Sequence, residues 1–554
     1  MTINPSKPMA RIITTCNDSM QRLCRTGTWV GLVLLAGCSK TADCDRCDTL
    51  VVSATGEPAT LVPPLIAETV GRDISDLVFE RLAVLRTGAA PVDTGAFEPG
   101  LAERWQRVDS AAWRFTLRRG AVWADGTPVI ADDVVFSFAA SVDTALGAPA
   151  AGALGSATVT ADGTNQVVIR FPTASPEQLF DATYHVRIIP KHLWDSIPRS
   201  RWAADTGVGR LIGSGAYRIA EWRRGQSLTL ERQGGSSPFR RIVWRFAKDQ
   251  DGALNLVLSG EADIVETAPG PDARARAGRQ NSVALIPYPA ATYGFLNFRL
   301  ANHAGVPHPV LADRAVRQAL ARAIDRPTLV SALVGSDAAV PPGPMSRALW
   351  IWNDSIPTPP FDIHQAGRLL DDAGWRLGPD QIRARNGRRL SVEILIPSTS
   401  TVRKNLAEGI QQMWKQIGVA ATIAAVDFPI FQERSESGQF DALIGAWLDE
   451  PSPRGLADQW TRPGFAILNQ GRYFNPVFDS LVATAIGAPT PAIARQRWSS
   501  AIGLLNDDAA AVFLYTPTNV AVASRQLKDV TIDPFSWLHD VGRWHKTPST
   551  SGTR

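Results

Sequence analysis

The chain has 554 residues, of which 45% are hydrophobic and 20% charged, with a formal net charge of +4. This is the composition of a globular protein long enough for several domains. A balance so near neutrality, with both signs interspersed, carries no electrostatic footprint for nucleic acid or a membrane surface, and no apolar run reaches the roughly 18 residues of a membrane span.

The first 48 residues differ from the rest. Arg22 and Arg25 precede an apolar run, Trp29 to Ala36, that ends in Leu35-Ala36-Gly37-Cys38. A basic segment, a short apolar core and small residues make a secretory signal over 1–37. A start at Met20 gives it a compact length. Leu-Ala-Gly-Cys resembles a bacterial lipobox, so Cys38 is expected to carry lipid and to begin a tether over 38–48. All five cysteines lie in the first 47 residues. Cys44-x-x-Cys47 suits a redox pair or half a zinc site, but no second pair of ligands follows it; in an oxidising compartment a disulfide is expected.

Thr49 to Thr55 is rich in β-branched residues and reads as a strand. Asp73 to Leu85 reads as a helix capped by Asp73 or Ser75, with Leu77, Val78, Leu82 and Leu85 on one face. Leu101-Ala102-Glu103-Arg104-Trp105 precedes Trp113–Phe138, the most informative stretch of the chain. Trp113, Phe115 and Leu117 alternate with polar residues, as in a half-buried strand. Asp125-Gly126 is a turn dipeptide. Asp132 and Asp133 sit in a first helical turn, where carboxylates favour the positive end of the dipole. Ile130 occupies the cap position; it cannot accept a backbone N–H, a loss of about 1 kcal/mol unless another oxygen substitutes.

Two short strands flank Asp162-Gly163. His185 and His192 bracket the Pro190 turn and lack the helical spacing of a metal pair. Gly213-Ser214-Gly215-Ala216-Tyr217 is followed by a strand, not a helix, so a phosphate loop is excluded; the glycines are expected to allow a sharp turn. Thr292 to Leu300 reads as a strand. Helices are expected from Asp313 and Asp362, each with an acidic cap, and from Asp325-Arg326-Pro327, where Pro is tolerated in the first turn. Asn386-Gly387 is a hairpin turn. Leu406 to Ile417 is an amphipathic helix, Phe440 to Trp447 a strand running into Leu448-Asp449-Glu450-Pro451, Tyr473 to Ala485 a helix entry, and Val512 to Thr518 a return strand.

Four stretches carry a resemblance: R-F-x-L-R-x-G-x-x-W-x-D-G-T-P-x-x-A-x-D-V-V-F-S-F around Trp123, G-S-G-A-Y at 213, F-x-x-N with V-R-Q-A-L-x-x-A-I-D-R from Phe295, and D-x-x-x-A-x-x-L-L-x-x-A-G-W from Asp362. Together they resemble the family 5 extracytoplasmic solute-binding proteins, the peptide, dipeptide and nickel receptors of ABC importers. Ile130 departs from the Thr usual in that family. The resemblance covers residues 49–545. It implies a bilobal α/β, periplasmic-binding-protein-like fold with an extra subdomain inserted in the first lobe. Lobe 1 is expected to comprise 49–76, 207–296 and 512–546, the inserted subdomain 77–206, and lobe 2 297–511, with crossings near Asn297 and Asp508.

The resemblance also implies ligand contacts at the end of strand 440–447. Asp449 would pair with the α-ammonium of a peptide, with Glu450 as a rival anchor; Trp447, Tyr293 and Asn297 complete the candidate set. For Asp449 a solvated loop acid or a cap is the competing reading. The 17 Trp suit stacking platforms or core packing, and Trp is usually mostly buried. No HExxH, GxSxG or P-loop is present, the seven His are dispersed, and neither a catalytic residue, a cofactor nor a metal is expected. The function expected is a lipid-anchored extracytoplasmic receptor that delivers a peptide-like solute to an ABC permease, as a monomer that binds no nucleic acid. The alternatives are the same fold with a nickel chelate, oligosaccharide or opine-like ligand, or an exported enzyme or structural lipoprotein.

Overall fold

The computed structural model describes residues 47–66, 68–148, 154, 156–204 and 207–548. The signal segment, Met20, Cys38 and Cys44 lie outside them; Cys47 is disulfide-bonded. Among the described residues no helix is long and apolar enough to cross a membrane.

Two large sheets organise the chain. The first has seven strands in the order Val283–Pro289, Thr518–Ser524, Ile264–Val265, Thr49–Thr55, Arg241–Ala247, Ser227–Arg232, Tyr217–Arg223. Thr49–Thr55 lies inside it, parallel to both neighbours. Leu50 and Val52 face one core with Ile74 and Val78 of the helix Thr69–Val78. Val51 faces another with Leu254 and Val257 of the helix Gln250–Leu258. Burial on both faces is why this strand reads as a continuous apolar run.

The second sheet orders Ala420–Val426, Ser391–Pro397, Ala442–Leu448, Thr292–Phe298 and Ala511–Tyr515. Leu296, Ile394 and Ile444 pack on Leu406, Ile410 and Trp414 of the helix Thr401–Gln416. Phe295, Leu395 and Leu443 turn to the other face, against Trp498 and Ile502 of the helix Pro491–Asp507. A four-stranded sheet, Ala102–Asp109, Ala112–Leu117, Gln166–Arg170, Thr158–Ala161, is inserted between Thr69–Val78 and Tyr217–Arg223. Helix Ala131–Ser141 ties it to the first lobe: Val134 and Phe138 join the inserted core, whereas Phe136 and Ala140 join the core of the seven-stranded sheet. The result is a bilobal α/β fold with a subdomain inserted in the first lobe.

The crossings fall elsewhere than expected. Thr292–Phe298 pairs throughout with Ala442–Leu448 and belongs to the second sheet, so the chain leaves the first sheet at Ala290–Ala291, not near Asn297. It returns at Thr516–Pro517, between Ala511–Tyr515 and Thr518–Ser524, not near Asp508, which ends the helix Pro491–Asp507. Buried strands on either side of a crossing carry the same apolar pattern, so the sequence does not mark which sheet receives them. The two crossing segments touch: the Ala290 N–H donates to the Pro517 carbonyl at 3.1 Å.

Three local expectations change. The first helix is Thr69–Val78, with Glu68 at its cap position, so Asp73 is internal and Leu82 and Leu85 lie beyond it. The Ile130 side chain offers no acceptor, and the Asp133 N–H turns instead to the Ile130 carbonyl at 3.0 Å; the Asp133 side chain supplies the reciprocal half of the cap, its Oδ2 accepting the Ile130 N–H at 2.9 Å and its Oδ1 the Lys191 N–H at 2.8 Å. Gly213 and Gly215 serve close approach rather than an unusual φ: a Cβ on Gly213 would lie 1.8 Å from the Val78 carbonyl oxygen, and one on Gly215 2.6 Å from that of Leu77.

Candidate functional site

Beside the first crossing, a cavity of about 220 Å³ opens between the lobes. Helix Thr69–Val78 supplies Thr69, Arg72, Asp73 and Asp76, and the inserted subdomain supplies Arg81, Tyr184 and Arg187. The end of strand Ala442–Leu448 contributes Leu448, Asp449 and Glu450 from the other side. Glu266 and Asn519 line it from the first sheet region, and Pro534–Trp537, a strap near the C-terminus, covers one edge. Five carboxyl groups therefore meet three guanidiniums.

Asp449 is 9% exposed. Its N–H donates to the Ala291 carbonyl at 2.8 Å, which fixes it to the crossing. Its Oδ2 accepts the Ser346 N–H at 2.6 Å. Burial pushes its carboxyl up to about 7; the Ser346 bond opposes this, and among the described residues no basic side chain does. A buried carboxyl without a counter-charge is costly when ionised.

Asp73, 6% exposed, accepts the Trp537 indole N–H at 2.7 Å. Burial and the nearby Glu266 raise its carboxyl well above the usual range, and burial raises Glu266 as well. Asp76 behaves oppositely: burial works against its charge, but Arg187 at 2.6 Å and Arg81 at 3.0 Å outweigh it and lower the carboxyl. The lobe-1 wall thus carries one acid held ionised by two guanidiniums and two that burial raises against the weaker pull of Arg72.

Of the five ligand candidates, Asp449 and Glu450 line the cavity. Trp447, Tyr293 and Asn297 do not. Successive side chains alternate across a strand: Leu448 is 62% exposed, and Trp447 turns under the sheet. There Trp447 meets Phe295 at 4.4 Å, Trp460 at 5.8 Å and its cross-strand partner Tyr293 at 6.2 Å between centroids. Tyr293 is buried and donates its hydroxyl to Gln459 Oε1 at 2.7 Å. Asn297, 2% exposed, lies further along the strand beside Gly471. Tyr293 and Trp447 therefore belong to the core on that face of the sheet. The residues that sequence reasoning missed are Arg72, Asp73, Asp76, Arg187, Glu266 and Trp537. The cluster of charges in and beside helix Thr69–Val78 was the one available signal, and Asp73 ahead of an apolar run reads equally well as a cap.

The two histidines remain apart in role. His192 Nε2 lies 2.8 Å from Asp125 Oδ2. His185 stacks edge-on against Phe180 and Tyr184, and burial, with Arg454 nearby, lowers it to about 4. Among the described residues no group of three metal-ligating side chains converges.

The model of bacterial extracellular solute-binding proteins, family 5 middle, matches residues 96–464. The oligopeptide-binding protein AppA of Bacillus subtilis (strain 168) is 23% identical over 515 residues, covering 89% of this chain and 91% of the relative. The structure of Bacillus subtilis AppA in complex with a nonapeptide superposes with a TM-score of 0.70 at 21% identity, over 90% of this chain and 99% of the other. The structure of NikZ from Campylobacter jejuni in complex with Ni(L-His) also gives 0.70 at 21% identity, over 90% and 100%. The match of the family model over more than half of the sequence carries the assignment: this chain belongs to the family 5 bacterial extracellular solute-binding proteins.

Proposed function

We propose that the protein is an extracytoplasmic receptor that captures a peptide or peptide-like solute between its lobes and delivers it to an ABC importer. The observation that carries this reading is Asp449, a buried carboxyl lining the interlobe cavity, held by Ser346 and with no basic partner among the described residues. A peptide's α-ammonium is charged at neutral pH. In a cavity that excludes water it needs a counter-charge, and Asp449 needs one equally. The lining's carboxyl groups outnumber its guanidiniums, so an incoming cation can draw a buried acid into its ionised form, which an anionic solute cannot. Cys38 would hold the receptor at the membrane, and the chain's two crossings, Ala290–Ala291 and Thr516–Pro517, would serve as the hinge on which the lobes close.

AppA, by name an oligopeptide-binding protein, supports the peptide reading. The equal likeness to a nickel–histidine complex means that the fold does not choose the solute. Titration of a free-amine peptide and of its N-acetylated form, against wild type and Asp449→Asn, makes the choice. Acetylation is expected to weaken wild-type binding at least tenfold and to make little difference to Asp449→Asn. Equal wild-type binding of the two forms would remove the amine anchor and turn the reading to a non-peptide solute.

A further inference from the structure

Arg454 bridges the second lobe and the inserted subdomain. It lies on the lobe-2 side, where it precedes helix Gly455–Trp460, whose Leu456 and Trp460 are rooted in the core beneath the five-stranded sheet. Its guanidinium reaches the opposite wall. Nε lies 2.7 Å from Glu177 Oε2, Nη1 donates to Asp181 Oδ2 at 2.9 Å, and Nη2 donates to Asp181 Oδ1. Ser452 Oγ adds a bond to Glu177 Oε2 at 2.5 Å. Both acids belong to the inserted subdomain: Glu177 is the cap residue of helix Gln178–Tyr184 and Asp181 lies within it, and Leu179, Phe180 and Ala182 of that helix sit in the core of the four-stranded sheet. The acid side chains are 3% and 6% exposed and that of Arg454 28%.

This is not an ordinary surface pair. A fork-shaped guanidinium on a carboxylate is geometrically specific, and here one guanidinium serves two buried acids across 273 and 277 residues of chain. Its neighbours are the cleft walls. Pro451, three residues before Arg454, and Tyr184, three after Asp181, line one recess with Trp350 and Phe535, and Tyr184 also lines the cavity that holds Asp449. The guanidinium offsets part of the cost that burial places on the two acids, both of which burial raises. Parting the lobes would break the bond, which makes no use of the ligand.

We infer that Arg454, with Glu177 and Asp181, is a latch that sets the open–closed equilibrium of the cleft: a positioning element that lowers the closing cost a solute must otherwise meet. The inference rests on the reading of the cleft as a solute site, but its first test does not. Solution scattering of the ligand-free protein compares wild type, Arg454→Ala and Arg454→Lys. Arg454→Ala is expected to increase the radius of gyration, and Arg454→Lys, a point charge without the fork, to fall between. With a bound free-amine peptide, Arg454→Ala is expected to return to the wild-type radius while dissociating at least tenfold faster. Arg454→Ala leaves two acids unpaired, so a triple variant, Arg454→Met with Glu177→Gln and Asp181→Asn, removes the charges together and guards against misfolding. Superimposable ligand-free curves for wild type, Arg454→Ala and the triple variant overturn the latch, whatever the peptide result. A more open free protein that binds no amine-bearing peptide leaves the latch standing and overturns the solute assignment instead.

Discussion

Asp449 holds its position through two backbone contacts, one given to Ala291 and one taken from Ser346, and both survive its protonation. Its carboxyl, raised to about 7 by burial, is therefore free to answer to pH. An unfolded Asp titrates near 3.9. The folded-state value is the higher one, so the ligand-free protein loses stability as pH rises from about 4 through about 7, and above that the cost is on the order of 4 kcal/mol. Asp449→Asn escapes it: in denaturant melts of the ligand-free protein the variant should gain on wild type between pH 4 and pH 8. Binding of an α-ammonium runs the other way, because it needs the ionised form. Between pH 5 and 7, affinity for a free-amine peptide should rise by up to about tenfold per pH unit with release of one proton, and calorimetry in buffers of different ionisation enthalpy reads both. A flat pH profile in wild type would show that Asp449 is not the anchor. Asp449, expected from the family resemblance, lines the cavity; Asp73 reads as a cap from sequence because its partner Trp537 lies 464 residues away.

Local elements were the most legible. Asp313, Asp325, Asp362 and Asn475 each accept an N–H from the first turn of the following helix, since capping is decided within a few residues. Asn386 and Gly387 both take positive φ, 52° and 75°, as their hairpin turn requires. The Ile130 cap was legible only as a deficit. Asp133 supplies the other half of the cap by accepting the Ile130 and Lys191 N–H groups, so Asp133→Ala should strand both and cost about 2–3 kcal/mol in urea unfolding. Asp133→Asn, which keeps one acceptor, should cost less. The glycines divide by mechanism. Gly126 has φ +85° and open space around its would-be Cβ, so Gly126→Ala should cost about 1–2 kcal/mol. Gly213 would drive a Cβ into Val78, and Gly213→Ala should cost about 3 kcal/mol or fail to fold. Equal unfolding midpoints for the two variants would contradict the close-approach account.

At the scale of the whole molecule, the prediction outside the described residues is the anchor: Cys38→Ser should move the protein from the membrane fraction to the soluble one, because acyl chains bind at about 0.8 kcal/mol per buried CH₂. An unchanged membrane fraction would remove the lipid. For the rest of the chain, the division between sequence and fold follows the range of the forces. Caps, turns and strand periodicity act over two to seven residues, and the four family motifs combine them in an ordered series. The sequence therefore determined by itself the elements, the family and the bilobal class. Which face of a strand meets a cavity, where the chain passes between sheets and which charges end up facing each other depend on burial from several distant segments at once. Trp447 and Asp449 stand two residues apart, yet Trp447 packs beneath the sheet and Asp449 lines the cavity once the strand has ended. Arg454 meets Glu177 and Asp181 only because two separately formed cores bring their rims together. The crossing at Ala290–Ala291, the acid-rich cavity and the latch were decided by tertiary structure, since a buried charge is stabilised by whatever the fold places beside it and not by its neighbours in sequence.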